Sequence, residues 1–146
     1  MGYGVPAAVA AKLVHRNASC CPGTATVAFL MNGQELATAV QYGLAIVFVV
    51  VDNGMYGTIR MHQERHYPGR VSGTSLVNPD FAALARAYGA VGLTVNRTEE
   101  FAPAFERALA ADGPALLARS ARSAGAHAER DHSDALRAQG LAAREK

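Results

Sequence analysis

Ala45-Ile46-Val47-Phe48-Val49-Val50-Val51-Asp52-Asn53-Gly54 is the stretch on which the fold turns. Its apolar part is continuous and largely β-branched, without the alternation of a half-exposed strand, so it reads as a strand buried on both faces of a parallel sheet. Asp-Asn-Gly then supplies turn chemistry at its carboxyl end. Immediately upstream, Asn32-Gly33-Gln34-Glu35 has the form of a capping box, Leu36, Ala37 and Val40 fall at helical spacing, and Gly43 is a stop signal. These predict a helix over about 32 to 42. Helix, short turn and apolar strand make half of a βαβ unit.

The pattern continues in both directions. Pro6 opens a helix through Leu13, where its missing N–H costs nothing in the first turn. Gly54 to Val77 has no sustained period and reads as a long functional loop holding a short helix. Asn78-Pro79-Asp80 caps a helix through Tyr88, Val91 to Val95 is a strand, Thr98-Glu99-Glu100 opens a helix to about Ala111, and Pro114 to Leu117 begins a last strand. Strands alternating with helices predict an α/β, Rossmann-like three-layer domain with a mostly parallel sheet and helices on both faces. In such sheets ligands sit beyond the carboxyl ends of the strands, which directs attention to Asp52 to Thr58. The expected division is a domain over 1–118 and an exposed or disordered tail over 119–146.

With 50% apolar and 18% charged residues, against roughly 25% charged in an average domain, a packed core is feasible. A net charge of +2 with scattered basic residues leaves no footprint for nucleic acid. No apolar run approaches the roughly 20 residues of a membrane span, and no charged segment precedes an apolar one at the amino end, so a cytoplasmic location is expected. Cys20 and Cys21 are adjacent, fitting neither a disulfide framework nor a C-x-x-C motif. His62 and His66 stand four apart, but His-Gln-Glu-Arg-His is neither zincin pattern; a solvated or substrate-side loop is the preferred reading and a metal pair the alternative.

Four pieces together carry a resemblance: Met1-Gly2-Tyr3-Gly4-Val5-Pro6-Ala7-Ala8, Phe29 to Leu36, Asp52 to Thr58, and Asn78-Pro79-Asp80-Phe81 through Tyr88-Gly89. From Met1 to about Leu117 the chain resembles the thiamine diphosphate (thiamine pyrophosphate)-binding domain at the C-terminal end of acetolactate synthase-like enzymes, whose relatives include pyruvate, benzoylformate and oxalyl-coenzyme A decarboxylases. The resemblance implies a carboligase or decarboxylase of 2-oxo acids, in which the cofactor's thiazolium carbon performs the chemistry. It implies Mg²⁺ held by a Gly-Asp-Gly, then roughly 24 to 27 residues, then Asn-Asn, because two successive strand ends bring oxygen ligands onto one ion. Asn53 would ligate the metal through its side chain and Met55 through its backbone carbonyl. The implied cofactor-binding positions are Met1, Gly2, Gly4, Ala25, Val27, Ala28, Asn53, Met55, Tyr56, Gly57 and Thr58. Met1 would prop the bent cofactor, and Tyr56 with Gly57 would line the diphosphate. The family's catalytic glutamate lies on a different domain contributed by a partner chain, so no catalytic residue is expected here. The implied partners are a second copy or a longer homologous chain carrying the pyrimidine-binding domain.

The departure is at 25 to 27, where Gly-Asp-Gly should stand and Ala25-Thr26-Val27 does. Thr26 occupies the position of the metal-binding aspartate, so an anionic ligand is replaced by a neutral hydroxyl and the clamp should be crippled. With suitable codons, Gly-Asp-Gly-Cys-Phe read one base late with one extra base gives Ala25-Thr26-Val27-Ala28-Phe29, and the tail read one base later resembles the family's C-terminal segment. Arg16 to Val27, and most of the chain after about Ala118, are therefore expected to be frame-displaced; plain divergence is the alternative. With Pro22 and Gly23 in its middle, 16–27 is expected to be an irregular segment in place of a central strand. Three readings follow: a fragment that binds cofactor, a non-catalytic remnant, and a regulatory or oligomerisation partner.

Overall fold

The computed structural model describes residues 1–120 and Ala142. Its sheet has four strands, β1 (Gly23–Ala25), β2 (Val47–Asp52), β3 (Val91–Val95) and β4 (Ala115–Ser120), in the order β1-β2-β4-β3. Every neighbouring pair is parallel. Among the described residues the helices are α1 (Gly4–Val14), α2 (Thr26–Asn32), α3 (Glu35–Gln41), α4 (Gly57–His66), α5 (Phe81–Ala87) and α6 (Phe101–Leu109), the last preceded by a 3-10 turn at Thr98–Glu100. No helix among them is long and apolar enough to cross a membrane.

The continuous apolar run becomes the central strand because both of its faces are covered. Phe48 and Val50 of β2, with Leu116 and Ala118 of β4, pack into a core completed by Val5 and Val9 of α1, Phe29 of α2, Leu36 of α3 and Phe81 of α5. On the opposite face Val47 and Val49, with Ala115 and Leu117, meet α6 through Ala104, Phe105 and Ala108. Alternate residues of one strand thus feed two cores, each large apolar side chain contributing roughly 1.5–3 kcal/mol on burial. Phe29 and Phe81 meet edge to face, with centroids 5.7 Å apart, and tie α2 to α5.

The chain divides into two compact units, one of Met1–Asp52 with Asn78–Ser120, the other containing Asn53–Val77. The sheet and its covering helices are the first, and the glycine-rich loop with α4 belongs to the second. From residue 121 the expected tail lies outside the described residues, apart from Ala142.

Two local expectations are corrected. The helix expected over 32 to 42 is the shorter α3, Glu35–Gln41, separated by Gly33 and Gln34 from α2, which ends at Asn32. Asn32 ends α2 and caps nothing; its Nδ2 donates to the Gly2 carbonyl at 3.0 Å. The segment 16–27 is irregular only as far as Pro22, because β1 follows and Thr26 to Ala28 already belong to α2. Ahead of β1, the carbonyls of Cys20 and Pro22 accept from Val47 and Val49 N–H at 3.1 and 3.0 Å, so the sheet edge is partly laddered despite the proline. Ala25 pairs with Val51, one residue before the end of β2.

Helix starts follow the local chemistry. Asp80 caps α5 by accepting from Ala83 N–H at 2.9 Å. Asp80→Ala should lower stability by about 1 kcal/mol in urea titration, with an unchanged slope. At the 3-10 turn, Glu100 accepts from the N–H groups of Asn96 and Arg97 and from Arg97 Nε. The Asn96 backbone bond first, and Arg97 second, hold its carboxyl below the usual range. A lowered carboxyl pKa stabilises above the unfolded value and is lost as pH falls through the folded one. An NMR titration should therefore show the Glu100 carboxyl titrating below the ordinary glutamate range.

Candidate functional site

Beyond the paired ends of β1 and β2, the chain places Thr26 as the first residue of α2 and Asp52 as the last of β2. Thr26 is 1% exposed, and its Oγ1 has no hydrogen-bond partner. A buried hydroxyl without a partner carries a desolvation cost of about 1–3 kcal/mol, so its presence calls for a reason. The sequence motif supplies one, since this is where a carboxylate would face a metal. Asp52 is the neighbouring carboxylate at the strand ends, and its Oδ1 accepts from Asn78 Nδ2 at 2.8 Å. No group of three or more histidine, cysteine, aspartate or glutamate side chains able to hold a metal occurs among the described residues. Magnesium is held through hard, preferably anionic oxygens, and position 26, where the motif puts a carboxylate, offers only a neutral hydroxyl, so that position does not fit its part of a metal–diphosphate clamp.

Ala25 is exposed at the end of β1, and Val27 and Ala28 are half-buried in α2. At the amino end, Gly2 is buried at φ +77, and a Cβ there would lie 2.7 Å from Asn32 Nδ2, so only glycine suits it. Gly4 begins α1, and Met1 is 86% exposed ahead of it.

Sequence reasoning missed a shallow cavity of about 190 Å³ at the carboxyl ends of β2, β4 and β3, lined by Asp52, Asp80, Phe81, Thr94, Arg119 and Ser120. Parallel-sheet topology was its available signal. Ligand pockets usually occupy roughly 300–1,000 Å³, so it falls below the ordinary range.

In the second unit, the expected site residues are held by their own loop. Asn53 Oδ1 accepts from Met55 N–H at 3.3 Å, the local turn that asparagine makes after a strand. Met55 forms an antiparallel bridge with Ser75, Tyr56 N–H donates to Thr74 carbonyl at 2.8 Å, and Leu76 N–H donates to Gly54 carbonyl at 2.8 Å. This clip fixes Tyr56 immediately before α4. Gly57 opens α4, where a Cβ would come within 3.1 Å of Asn53 Nδ2, and Thr58 follows it exposed. Gln63 braces the return of the loop by donating to Ser72 carbonyl and accepting from Ser72 N–H.

Comparison with known proteins agrees with this architecture. Residues 1–119 match the family model for the thiamine pyrophosphate enzyme, C-terminal TPP binding domain. The chain is 36% identical to an acetolactate synthase of Arthrospira platensis over 121 residues, covering 80% of this chain and 21% of that protein. It is 37% identical to the large subunit of acetolactate synthase isozyme 2 of Escherichia coli (strain K12) over 118 residues, covering 80% and 22%. Among solved structures, a thiamine diphosphate-dependent 4-hydroxybenzoylformate decarboxylase of Rhodococcus jostii RHA1 superposes with a TM-score of 0.76 at 33% identity, covering 82% of this chain and 23% of that one. A benzoylformate decarboxylase of Polynucleobacter necessarius gives 0.73 at 28%. The chain thus spans about a fifth of the length of the curated relatives it matches. With a parallel sheet and a family match across 1–119, the chain belongs to the thiamine pyrophosphate enzymes, as their C-terminal TPP binding domain.

Proposed function

We propose that this chain is the cofactor-binding part of an acetolactate synthase-like carboligase or decarboxylase acting on 2-oxo acids, in a form whose metal clamp has lost its carboxylate. The observation that carries the second half is Thr26: buried, neutral and unpartnered at the end of β1. The first half rests on the family match and on relatives several times longer than this chain. When bound, the cofactor would supply the carbon that attacks a 2-oxo acid. In this reading the chain's own contribution is shape, with Gly2 closing against Asn32, and Tyr56 fixed by the Gly54–Leu76 clip.

Calorimetric titration of thiamine diphosphate with Mg²⁺ into the purified chain tests the reading. The expected result is no tight, Mg²⁺-dependent binding. Tight binding would show that a neutral residue suffices at position 26 and would overturn the lost-clamp reading. A second reading, an assembly partner for a longer homologous chain, is favoured by the outward display of Met1 (86%), Tyr3 (79%) and Val14 (75%) at the two ends of α1. Co-purification with such a chain, weakened by Tyr3→Ser with Val14→Ser, would support it.

A further inference from the structure

The imidazoles of His62 and His66, which the cofactor reading leaves unused, lie on one face of α4, both exposed. Their ring centroids are 6.0 Å apart and the planes differ by only 10°. Residues four apart on a helix are neighbours, so a fixed backbone presents the two rings together without a loop having to be ordered. An ion bound tetrahedrally by two imidazole nitrogens at about 2.0–2.1 Å sets the ring centres roughly 5 Å apart, so the observed pair needs to close by about 1 Å. The stacked, near-parallel planes seen here keep the two in-plane lone pairs from converging, so the rings must also turn about χ1 and χ2, which two exposed side chains can do. Both rings belong to the second half of α4, and His66 is its last residue, where the negative end of the helix dipole favours a cation.

We infer that His62 and His66 form a two-imidazole chelate on the surface of α4 for a divalent transition ion of the nickel, copper and zinc class, water completing the coordination. Imidazole suits these ions, whereas Mg²⁺ and Ca²⁺ select oxygen ligands, so this site is chemically separate from any cofactor metal. The string His-Gln-Glu-Arg-His lacks the glutamate placement of a hydrolytic zinc motif, and Glu64, between the two histidines, is 1% exposed with Oε2 accepting from Gly69 N–H. The site is therefore a binding site, without a hydrolytic role.

Nickel(II) is the probe, added to the full chain and followed by calorimetry and by paramagnetic broadening of backbone amide signals. The expected result is one tight class of sites that broadens the amides around 62–66 first. His62→Ala and His66→Ala should each weaken that class about a hundredfold, because losing one of two linked ligands removes the effective-concentration advantage. His15→Ala should leave it unchanged, and Mg²⁺ should produce no broadening. Circular dichroism of the variants checks that α4 persists, which is expected since both side chains are exposed. Parental affinity in both single variants, or loss of the tight class in His15→Ala, would overturn the inference.

Discussion

Gly92→Ala is expected to lose about 3 kcal/mol or more of stability, a large share of what a domain of this size holds. Gly92 lies in β3 under α5, and a Cβ built there would stand 2.0 Å from the Ala82 carbonyl oxygen and 2.8 Å from its carbon. Ordinary C···O contacts begin at about 3.3 Å, so α5 would have to lift from the sheet by more than an ångström. That helix cannot move alone. Phe81, Ala82 and Ala85 are buried, Phe81 rests on Phe29, and Arg86 donates to the Gly92 carbonyl at 2.9 Å. Replacing glycine by alanine in a compatible strand would gain about 0.4–1 kcal/mol through the unfolded chain, and the clash exceeds this severalfold. Urea unfolding measures the difference. A loss below about 1 kcal/mol would mean that α5 is looser on β3 than its contacts indicate.

Sequence reading succeeded where one force dominates. Val47 to Val51 could only be a doubly buried strand, and Asp80 with Phe81 announced α5 through a cap followed by an apolar stripe. It failed where two local signals compete. Asn32 with Glu35 has the form of a cap, yet the chain closes tightly there: a Cβ on Gly33 would lie 2.8 Å from the Phe29 ring, a close approach set by tertiary packing. Thr26 to Met31 is a short apolar run that reads equally as strand or helix, and only its position after the paired Ala25 settles it as α2. At the site, the identity of position 26 was legible from motif spacing, whereas the absence of a partner for its hydroxyl is a property of the packed state. The cavity at the β2, β4 and β3 ends was hidden for a similar reason, since Asp52, Thr94 and Arg119 are far apart in the chain.

Thr26→Asp should be less stable than the parent chain without ligand and should gain stability when Mg²⁺ and thiamine diphosphate are added together. Two terms oppose each other in the free variant. An uncompensated charge at a position 1% exposed costs about 3–5 kcal/mol, while the amino end of α2 returns roughly 1 kcal/mol through its dipole. The net loss should be about 2 kcal/mol or more, softened if the carboxyl takes a proton instead. Metal and diphosphate reverse the sign, because a ligand at a hundredfold excess over its Kd stabilises by about 2.7 kcal/mol. Thr26→Asn separates charge from shape, and should bind no better than the parent. Thr26→Val removes the orphaned hydroxyl and should raise stability by about 1 kcal/mol while leaving binding absent. Rescue by aspartate but not asparagine would locate the defect in one missing charge. If neither rescues, the defect extends past position 26 to the rest of the clamp, and the weight moves to a non-catalytic remnant.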